Sequence, residues 1–280
     1  MRGTLLEEAR KLARATEGWL TSAEGEALFA LASQCRPPGI IVEIGSWMGK
    51  STTWLAKGSK SGSGLKIHAV DPHSRRPGTF EEFTRNMKRA RVEDLVVPYV
   101  MTSAEAAPRI NDPVVLAFID GSHKYEDVKL DVRLWSPKVV GGGHMAFHDA
   151  LINGAVGVHR AVREDVYESG RFRNIRLVGS MVISQKGSYS GLQQNLEIRW
   201  KRLIFDANDA VFDASGRRHA EHYLPGPLLS VVGRILRWLQ LNTARIEDWP
   251  EGRARSESQG LFFCVAKNLP QVFPPGLMSW

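Results

Sequence analysis

Cysteine is nearly absent from this chain. Only Cys35 and Cys264 occur among the 280 residues, and both stand among apolar neighbours. Two cysteines so far apart exclude a disulfide framework and a cysteine metal cluster. We expect two buried free thiols in a reducing compartment.

Long hydrophobic runs are also missing. No uncharged apolar stretch approaches the roughly 20 residues that a membrane-spanning helix needs. Residues 1–14 mix acidic and basic side chains, whereas a secretory signal has a basic head followed by an apolar run. We therefore expect a cytoplasmic protein.

Charge of one sign is not gathered into any long tract. The net charge is +7, but acidic residues are interspersed through much of the chain. This pattern favours a solvated surface, or an attraction for anionic ligands, over a nucleic-acid-binding tract. Hydrophobic residues make up 43% of the chain, which is enough for a folded core and excludes a disordered protein.

Strand-like and helix-like segments alternate through the first two thirds of the sequence. The strand candidates are short runs rich in branched apolar residues: Ile40–Ile44, Leu65–Val70, Leu95–Met101, Val114–Ile119, Val139–Phe147, Ile175–Val178 and Met181–Gln185. The helix candidates between them are Ser51–Lys57, Phe80–Ala90, Tyr125–Trp135 and Val156–Tyr167. This order predicts an α/β fold with a seven-stranded, mostly parallel sheet. Its last strand should be antiparallel, because only Gly179 and Ser180 join the final pair.

Further helices are expected on both sides of this alternation. One covers Thr21–Ser33, and two others cover Leu192–Phe205 and Leu228–Leu241. The last of these carries an apolar stripe, so it should pack against the main domain or a second subunit of a homo-oligomer, or touch a membrane surface. The predicted domains are an N-terminal helical cap at 1–38, a ligand-binding domain at 39–187 and a mainly helical C-terminal extension at 188–280.

The strongest local signal follows the first predicted strand, where Gly45, Trp47 and Gly49 belong to a turn that opens a helix. Such a turn presents backbone N–H groups to a polar ligand. Only three residues separate the two glycines, one fewer than a phosphate-binding loop needs before its Gly-Lys-Ser. Trp47 occupies the second glycine position of the dinucleotide fingerprint. A ligand without pyrophosphate fits this turn better.

These residues resemble the first motif of the class I S-adenosylmethionine-dependent methyltransferases, E-x-G-x-x-x-G. Glu43, Gly45 and Gly49 match it, and the resemblance continues in order through Lys186. It implies a Rossmann-like methyltransferase fold that binds S-adenosylmethionine. The cofactor-binding residues that it implies are Glu43, Gly45, Ser46, Trp47, Gly49, Ser51, Asp71, Ser103 and Asp120. In that family the acid at the position of Asp71 binds the ribose hydroxyls, and the position of Ser103 meets the adenine.

Two aspartates, Asp120 and Asp149, stand at the ends of successive predicted strands. If these strands are neighbours, about 4.8 Å apart, the carboxylates converge and repel each other unless a cation or proton separates them. In related metal-dependent methyltransferases two such aspartates hold a divalent cation, usually magnesium. The resemblance therefore implies both as metal ligands, with a metal-free site as the alternative. His148 should point away from Asp149 if the chain is still extended there.

A histidine, His123, follows Asp120 by three residues in the pattern I-D-G-x-H-x-Y. Catechol-type relatives carry a lysine base at this position, so the resemblance implies His123 as the base that removes the hydroxyl proton. Lys124 is a rival base. A structural histidine that only caps the following helix is the other alternative.

The same pattern, with a later Gly-Gly turn and His-Asp pair, is similar to a methyltransferase subgroup that acts on sugars and other natural-product hydroxyls, including macrolide-sugar O-methyltransferases. The resemblance implies methyl transfer to a hydroxyl of a small molecule or glycoside. Two alternatives stay open. One is another tailoring reaction on the same fold, such as hydroxylation, and the other is a non-catalytic binding protein with a basic surface.

Overall fold

The computed structural model of the chain describes residues 2–151 and 155–188, together with Ile198, Arg199, Lys201, Arg202 and Phe205. The helices of this part are α1 (Arg2–Arg14), α2 (Ser22–Gln34), α3 (Lys50–Ser61), α4 (Thr79–Ala90), α5 (Ser103–Ala106), α6 (Tyr125–Trp135) and α7 (Val156–Val162). The strands are β1 (Ile40–Ile44), β2 (Ile67–Val70), β3 (Val96–Tyr99), β4 (Val114–Ile119), β5 (Val139–Phe147), β6 (Phe172–Val178) and β7 (Met181–Lys186).

The described strands form one seven-stranded sheet in the order β3-β2-β1-β4-β5-β7-β6. Strands β1 to β5 pair in parallel, whereas β7 is antiparallel to both β5 and β6. The predicted mostly parallel sheet with an antiparallel last strand is therefore confirmed.

The two central strands, β1 and β4, are buried along their whole length because helices cover both faces of the sheet. Alternate residues of β1 enter different apolar clusters: Val42 packs with residues of α6 and α7, and Ile41 with residues of α2, α3 and α4. Packing from both sides fixes these strands, so their carboxyl ends provide a firm edge for polar side chains.

Helix α2 begins with a capping box. The Thr21 side chain accepts a hydrogen bond from the Glu24 N–H, and the Glu24 carboxylate accepts one from the Thr21 N–H. The helix lies tightly against α3, since a Cβ at Gly25 would come within 2.2 Å of the Trp54 ring. These contacts fix the start of α2, including Glu24, beside the sheet.

Most elements differ from the predicted boundaries by one to four residues, and two of the differences have a clear structural cause. Strand β6 begins at Phe172 rather than at Ile175, because an irregularity in its pairing with β7 lets Phe172 pair with Lys186. Polar residues around this irregularity break the apolar pattern. The predicted helix over Val156–Tyr167 is α-helical to Val162 and continues as a π-helical turn to Tyr167.

The predicted helix over Leu228–Leu241 lies outside the described residues. Within Leu192–Phe205, the described residues are all helical. Phe205 stacks on Tyr167, with ring centroids 4.8 Å apart.

None of the helices in the described residues has the length and apolar character needed to cross a membrane.

Candidate active site

The turn after β1 approaches the end of β4 closely. Gly45 has a φ of +89°, and a Cβ there would lie 2.2 Å from the Asp120 carbonyl oxygen. The Gly45 N–H donates to the Val70 carbonyl at 2.8 Å, and the Asp120 N–H donates to the Ile44 carbonyl at 2.8 Å. A side chain at Gly45 is therefore excluded by both conformation and space. The ends of β1, β2 and β4 form one continuous edge.

Asp71, at the end of β2, is held by two backbone donors. Its Oδ2 accepts a hydrogen bond from the Trp47 N–H at 2.8 Å, and its Oδ1 accepts one from the His73 N–H at 2.7 Å. Trp47 has a φ of +44°, a conformation that residues other than glycine rarely adopt. Each carboxylate oxygen keeps a further lone pair, so Asp71 still has the capacity to accept two hydroxyl donors.

Several buried polar atoms near this turn lack partners. Glu43 is fully buried, and its Oε2 accepts a hydrogen bond from the Thr52 hydroxyl at 2.5 Å. Glu43 Oε1, Ser46 Oγ and Trp47 Nε1 have no hydrogen-bond partner among the described residues. Burial raises the pKa of Glu43 to about 8, against the opposite effect of the Ser51 and Thr52 hydroxyls. Such atoms are rare in folded proteins and mark places where water or a ligand supplies the partner.

Ser103 has its hydroxyl engaged by the protein. It accepts a hydrogen bond from Trp135 Nε1 at 2.8 Å and acts to lower the pKa of the nearby Asp131 carboxyl. Asp131 is only 5% exposed, and burial raises its pKa to about 6. Sequence reasoning missed Asp131. Its signal was a carboxylate within the buried stripe of α6, between Val128 and Trp135.

The two predicted aspartates converge, with an imidazole beside both. His148 Nδ1 lies 3.1 Å from Asp120 Oδ1 and 3.2 Å from Asp149 Oδ1. Its Nε2 lies 3.4 Å from Glu24 Oε2. Burial opposes protonation of the ring, but the carboxylates of Asp120, Asp149 and Glu24 raise the pKa of His148 to about 12. The protonated ring is therefore a cation between carboxylates that otherwise repel each other.

The expectation that His148 and Asp149 point to opposite faces is wrong. Strand β5 ends at Phe147, and Asp149 has a φ of +56°, so the chain is not extended where alternation was assumed. The change in backbone direction brings both side chains to one small volume. Ligand atoms of His148, Asp149 and Asp120 all lie within 4.8 Å of one another.

His123 contacts Asp149 through the carboxylate oxygen that does not face His148. Its Nε2 lies 3.0 Å from Asp149 Oδ2, and its side chain is 48% exposed. The ring thus contacts Asp149 rather than the start of α6, where Lys124 is the N-cap residue. Lys124, the rival base, is not among the residues that line the cavity described next.

A cavity of about 700 Å³ runs along this edge of the sheet, within the range of about 300–1,000 Å³ that is typical of small-molecule sites. The predicted site residues that line it are Gly45, Trp47, Asp71, Ser103, Asp120, His123 and Asp149. The remaining predicted residues are buried on β1, in the turn and at the start of α3, outside the lining: Glu43, Ser46, Gly49 and Ser51. Most of the predicted site is thus brought together in one space.

Two exposed residues that sequence reasoning missed also line the cavity. Trp19 is 78% exposed, and its ring centroid lies 6.2 Å from that of Trp47. Arg75 extends from the loop after β2 and donates a hydrogen bond to the Gly121 carbonyl at 2.9 Å. Both belong to segments without a motif, so no spacing in the sequence marked them.

The residues present fit S-adenosylmethionine and a divalent cation. The cavity has the volume for a nucleoside-sized ligand, and the unpartnered Trp47 Nε1 and the spare acceptors of Asp71 suit one with acidic and hydroxyl groups. Asp120, Asp149 and His148 offer two carboxylate oxygens and one ring nitrogen, a donor set that divalent cations accept.

Comparison with known proteins identifies the fold. Residues 42–150 match the family model described as "Methyltransferase domain". The structure is similar to that of cofactor-bound Rv0187 from MTB, at 20% identity and a TM-score of 0.52, over 66% of this chain and 91% of that one. It is similar to the O-methyltransferase from Bacillus cereus in complex with SAH, at 16% identity and a TM-score of 0.51, over 66% and 91%.

A third similar structure is the SAH-bound methyltransferase PaMTH1 from Podospora anserina, at 13% identity and a TM-score of 0.52, over 66% of this chain and 88% of that one. The sheet order and the match of residues 42–150 agree with these likenesses. The chain therefore has the Rossmann-like methyltransferase fold.

Proposed function

We propose that the protein is an S-adenosylmethionine-dependent O-methyltransferase that acts on a hydroxyl of a small molecule or glycoside. The observation that carries this proposal is one cavity with Gly45 and Asp71 on one side and Asp120, His123 and Asp149 on the other. A site for the cofactor and a group that accepts a proton share this space. The match of residues 42–150 to a methyltransferase domain supports the same assignment.

In this proposal the turn after β1 and the end of β2 bind the cofactor. Asp71 accepts hydrogen bonds from the ribose hydroxyls with the lone pairs that its backbone donors leave free. Trp47 Nε1 supplies a donor to the carboxylate of the methionine part. Ser103 and Asp131 form the wall at the adenine end.

His123 is the proposed base. With its Nε2–H donated to Asp149 Oδ2 at 3.0 Å, the ring keeps its Nδ1 lone pair for the proton of the acceptor hydroxyl. Asp149 fixes the orientation and the tautomer of the ring. When bound, S-adenosylmethionine supplies an already activated methyl group. The remaining task of the cavity walls is to hold the acceptor oxygen in line with that group.

Asp120 and Asp149 are the proposed ligands of a divalent cation. Their converging carboxylates carry more negative charge than the single imidazolium of His148 balances, with Glu24 close by. When bound, the cation supplies positive charge that holds and polarises the acceptor hydroxyl. This role is compatible with His123 as the base, because Asp149 contacts His123 through Oδ2 and His148 through Oδ1.

The acceptor enters past Trp19 in this proposal. An indole that is 78% exposed beside a cavity offers a face on which a sugar or aromatic ring can stack. Arg75 is a permanently charged residue of the same lining and suits an acceptor with an anionic substituent.

Calorimetric titration with S-adenosylhomocysteine tests the cofactor site. We expect one site per chain, and Asp71→Asn should weaken binding by about 10- to 100-fold, because a hydrogen bond to a charged group contributes about 1.5–3 kcal/mol. Asp127→Asn is the matched control, since Asp127 lines the same cavity but accepts a hydrogen bond from Ser122. Absence of binding at high micromolar ligand would contradict the proposal.

The mass of the product tests the reaction. After incubation with S-adenosylmethionine and a panel of phenols and glycosides, we expect acceptor products heavier by one methyl group in place of hydrogen. A gain of oxygen would instead support a hydroxylase on the same fold. Salt-dependent binding of nucleic acid or vesicles without cofactor binding would support a non-catalytic protein.

The domain division, the homo-oligomer and the cytoplasmic location stay predictions.

A further inference from the structure

Glu24 and His148 connect the N-terminal helix α2 to the aspartate pair. His148 presents Nδ1 to Asp120 and Asp149, and it presents Nε2 to Glu24. The ring is 5% exposed and Glu24 is 1% exposed, so solvent competes little for these contacts. Each ring nitrogen thus has a defined direction, one toward the cavity and one toward the protein.

This arrangement matches the environment of histidines that bind metals. Such a histidine binds the ion through one nitrogen and directs the other to a carboxylate or carbonyl, which fixes the ring. Here Glu24 stands where that outer carboxylate is expected.

The distances suit neighbouring ligands of one ion. His148 Nδ1 lies 3.1 Å from Asp120 Oδ1 and 3.2 Å from Asp149 Oδ1. Neighbouring ligands of an octahedral ion with bonds of about 2.1 Å lie about 3.0 Å apart. His148 is therefore spaced from each aspartate as neighbouring ligands of one ion are.

We propose that His148 is the third protein ligand, through Nδ1, that Glu24 is its positioning residue, and that the site consequently prefers manganese, iron, cobalt or zinc to magnesium. The inference rests on the divalent cation of the proposed function. A ring nitrogen suits first-row transition metals, whereas magnesium binds oxygen ligands and keeps much of its water. The cation therefore differs from the magnesium that the family resemblance implies.

Glu24 is itself held firmly by the protein. Its Oε2 accepts hydrogen bonds from the N–H and the hydroxyl of Thr21, and its Oε1 accepts bonds from the N–H and the hydroxyl of Ser180, both at 2.8 Å. A Cβ at Gly179 would lie 2.6 Å from Glu24 Oε1, so glycine is needed for this approach. Glu24 thus fixes the position of His148 relative to both α2 and the β6–β7 turn.

Cobalt is the probe for the test. The full-length protein is treated with chelator and titrated with Co²⁺, whose visible absorption bands respond to exchange of nitrogen for oxygen ligands, and Mg²⁺ is then added as competitor. We expect one Co²⁺ per chain and at least about a tenfold excess of Mg²⁺ over Co²⁺ for half displacement. His148→Asp should shift the bands and move the preference toward Mg²⁺. His144→Ala, a histidine on β5 outside the cavity lining, should change neither.

The role of Glu24 is tested in the same titration. Glu24→Gln should weaken Co²⁺ binding by about 10- to 100-fold, the usual effect of losing an outer partner of a metal ligand. Glu26→Gln is the matched control, since Glu26 also lies on α2 but accepts a hydrogen bond from Arg10, so it should not change the Co²⁺ bands.

Three results would overturn the inference: no Co²⁺ bound at micromolar concentration, Mg²⁺ displacing Co²⁺ at equal concentration, or unchanged bands in His148→Asp. Titration of the same samples with S-adenosylhomocysteine checks that each variant is folded and keeps its cofactor site. If only the metal assignment is wrong, the protein still binds S-adenosylhomocysteine. If the methyltransferase proposal is wrong, the protein does not bind S-adenosylhomocysteine.

Discussion

The two sides of the cavity differ in how far the protein satisfies its own polar groups. The cofactor side is formed by residues 43–49, at the end of β1 and in the turn after it, and by Asp71. Three buried polar atoms there lack partners among the described residues. On the aspartate–histidine side, formed by Asp120, His123, His148 and Asp149, each of the four side chains contacts another. Unpaired groups cost free energy that a bound ligand can recover, whereas a paired network keeps its geometry beforehand. The difference indicates that a bound ligand supplies the missing hydrogen-bond partners on the cofactor side. On the aspartate–histidine side, the side chains already have the geometry that the reaction needs.

Gly45 is where the two sides meet, and Gly45→Ala should have the largest effect. A Cβ there would lie 2.2 Å from the Asp120 carbonyl oxygen, so β1 and β4 must separate at the site. We expect the free energy of unfolding to fall by about 3 kcal/mol and binding of S-adenosylhomocysteine to be lost. Urea denaturation and calorimetry measure the two effects.

Gly64→Ala is the matched control for this variant. Gly64 also has a positive φ, +66°, but nothing lies within 4 Å of the added Cβ. Only the conformational cost remains there, about 1–2 kcal/mol, and cofactor binding should not change. Equal effects of the two substitutions would show that the close approach of the two sides is unimportant.

His123→Ala should break the aspartate–histidine side alone. Loss of the proton acceptor is expected to lower kcat by about 10²- to 10⁴-fold, while the affinity for S-adenosylhomocysteine stays nearly unchanged. Formation of S-adenosylhomocysteine, measured with the acceptor that the product screen yields, gives kcat. Lys124→Ala is the control for the rival base. A large loss of kcat in Lys124→Ala, with little loss in His123→Ala, would show that Lys124 rather than His123 is the base.

Much of the cofactor side could be predicted from the sequence because it depends on backbone and on spacing. Glu43, Gly45 and Gly49 mark the turn, and Asp71 follows its strand directly, so the order of elements alone brings them to one edge. The sequence did not predict that the Ser103 hydroxyl accepts a hydrogen bond from Trp135. Hydrogen bonds between residues of different helices or strands cannot be predicted from the spacing of residues within one segment.

The aspartate–histidine side was predictable only in part. The convergence of Asp120 and Asp149 follows from neighbouring strands. The position of His148, however, depends on a positive φ at Asp149, and because this residue is not a glycine the sequence does not predict that conformation. Glu24 is 124 residues from its partner His148 along the chain. Its contact arises from the packing of α2 beside the sheet, which a single sequence does not reveal.

Asp131, which lines the proposed adenine end of the cavity, allows a pH test there. Its pKa in the folded protein is about 6, against about 4 in an unfolded chain, so between these values the folded state binds more protons. The contribution of Asp131 to stability therefore falls as pH rises through this window. Asp131→Asn should reduce the loss of unfolding free energy between pH 5 and pH 8 by about 1 kcal/mol. Urea denaturation at both pH values measures it, with Glu126→Gln, an exposed carboxylate of α6, as control. An identical pH dependence in wild type and Asp131→Asn would contradict the assignment.

Trp19 lies at the exposed end of the lining, and its substitution should have the smallest effect. Because the indole is 78% exposed, Trp19→Ala removes little packing and should change the unfolding free energy by no more than about 0.5 kcal/mol. If the ring stacks on the acceptor, KM for that acceptor should rise by about 2- to 10-fold, the equivalent of about 0.5–1.5 kcal/mol, with kcat and cofactor affinity unchanged. Trp19→Phe keeps an aromatic face and should restore most of the affinity. An unchanged KM in Trp19→Ala would exclude Trp19 from the acceptor site, whereas an equal rise in both variants would assign its effect to the indole N–H rather than to stacking.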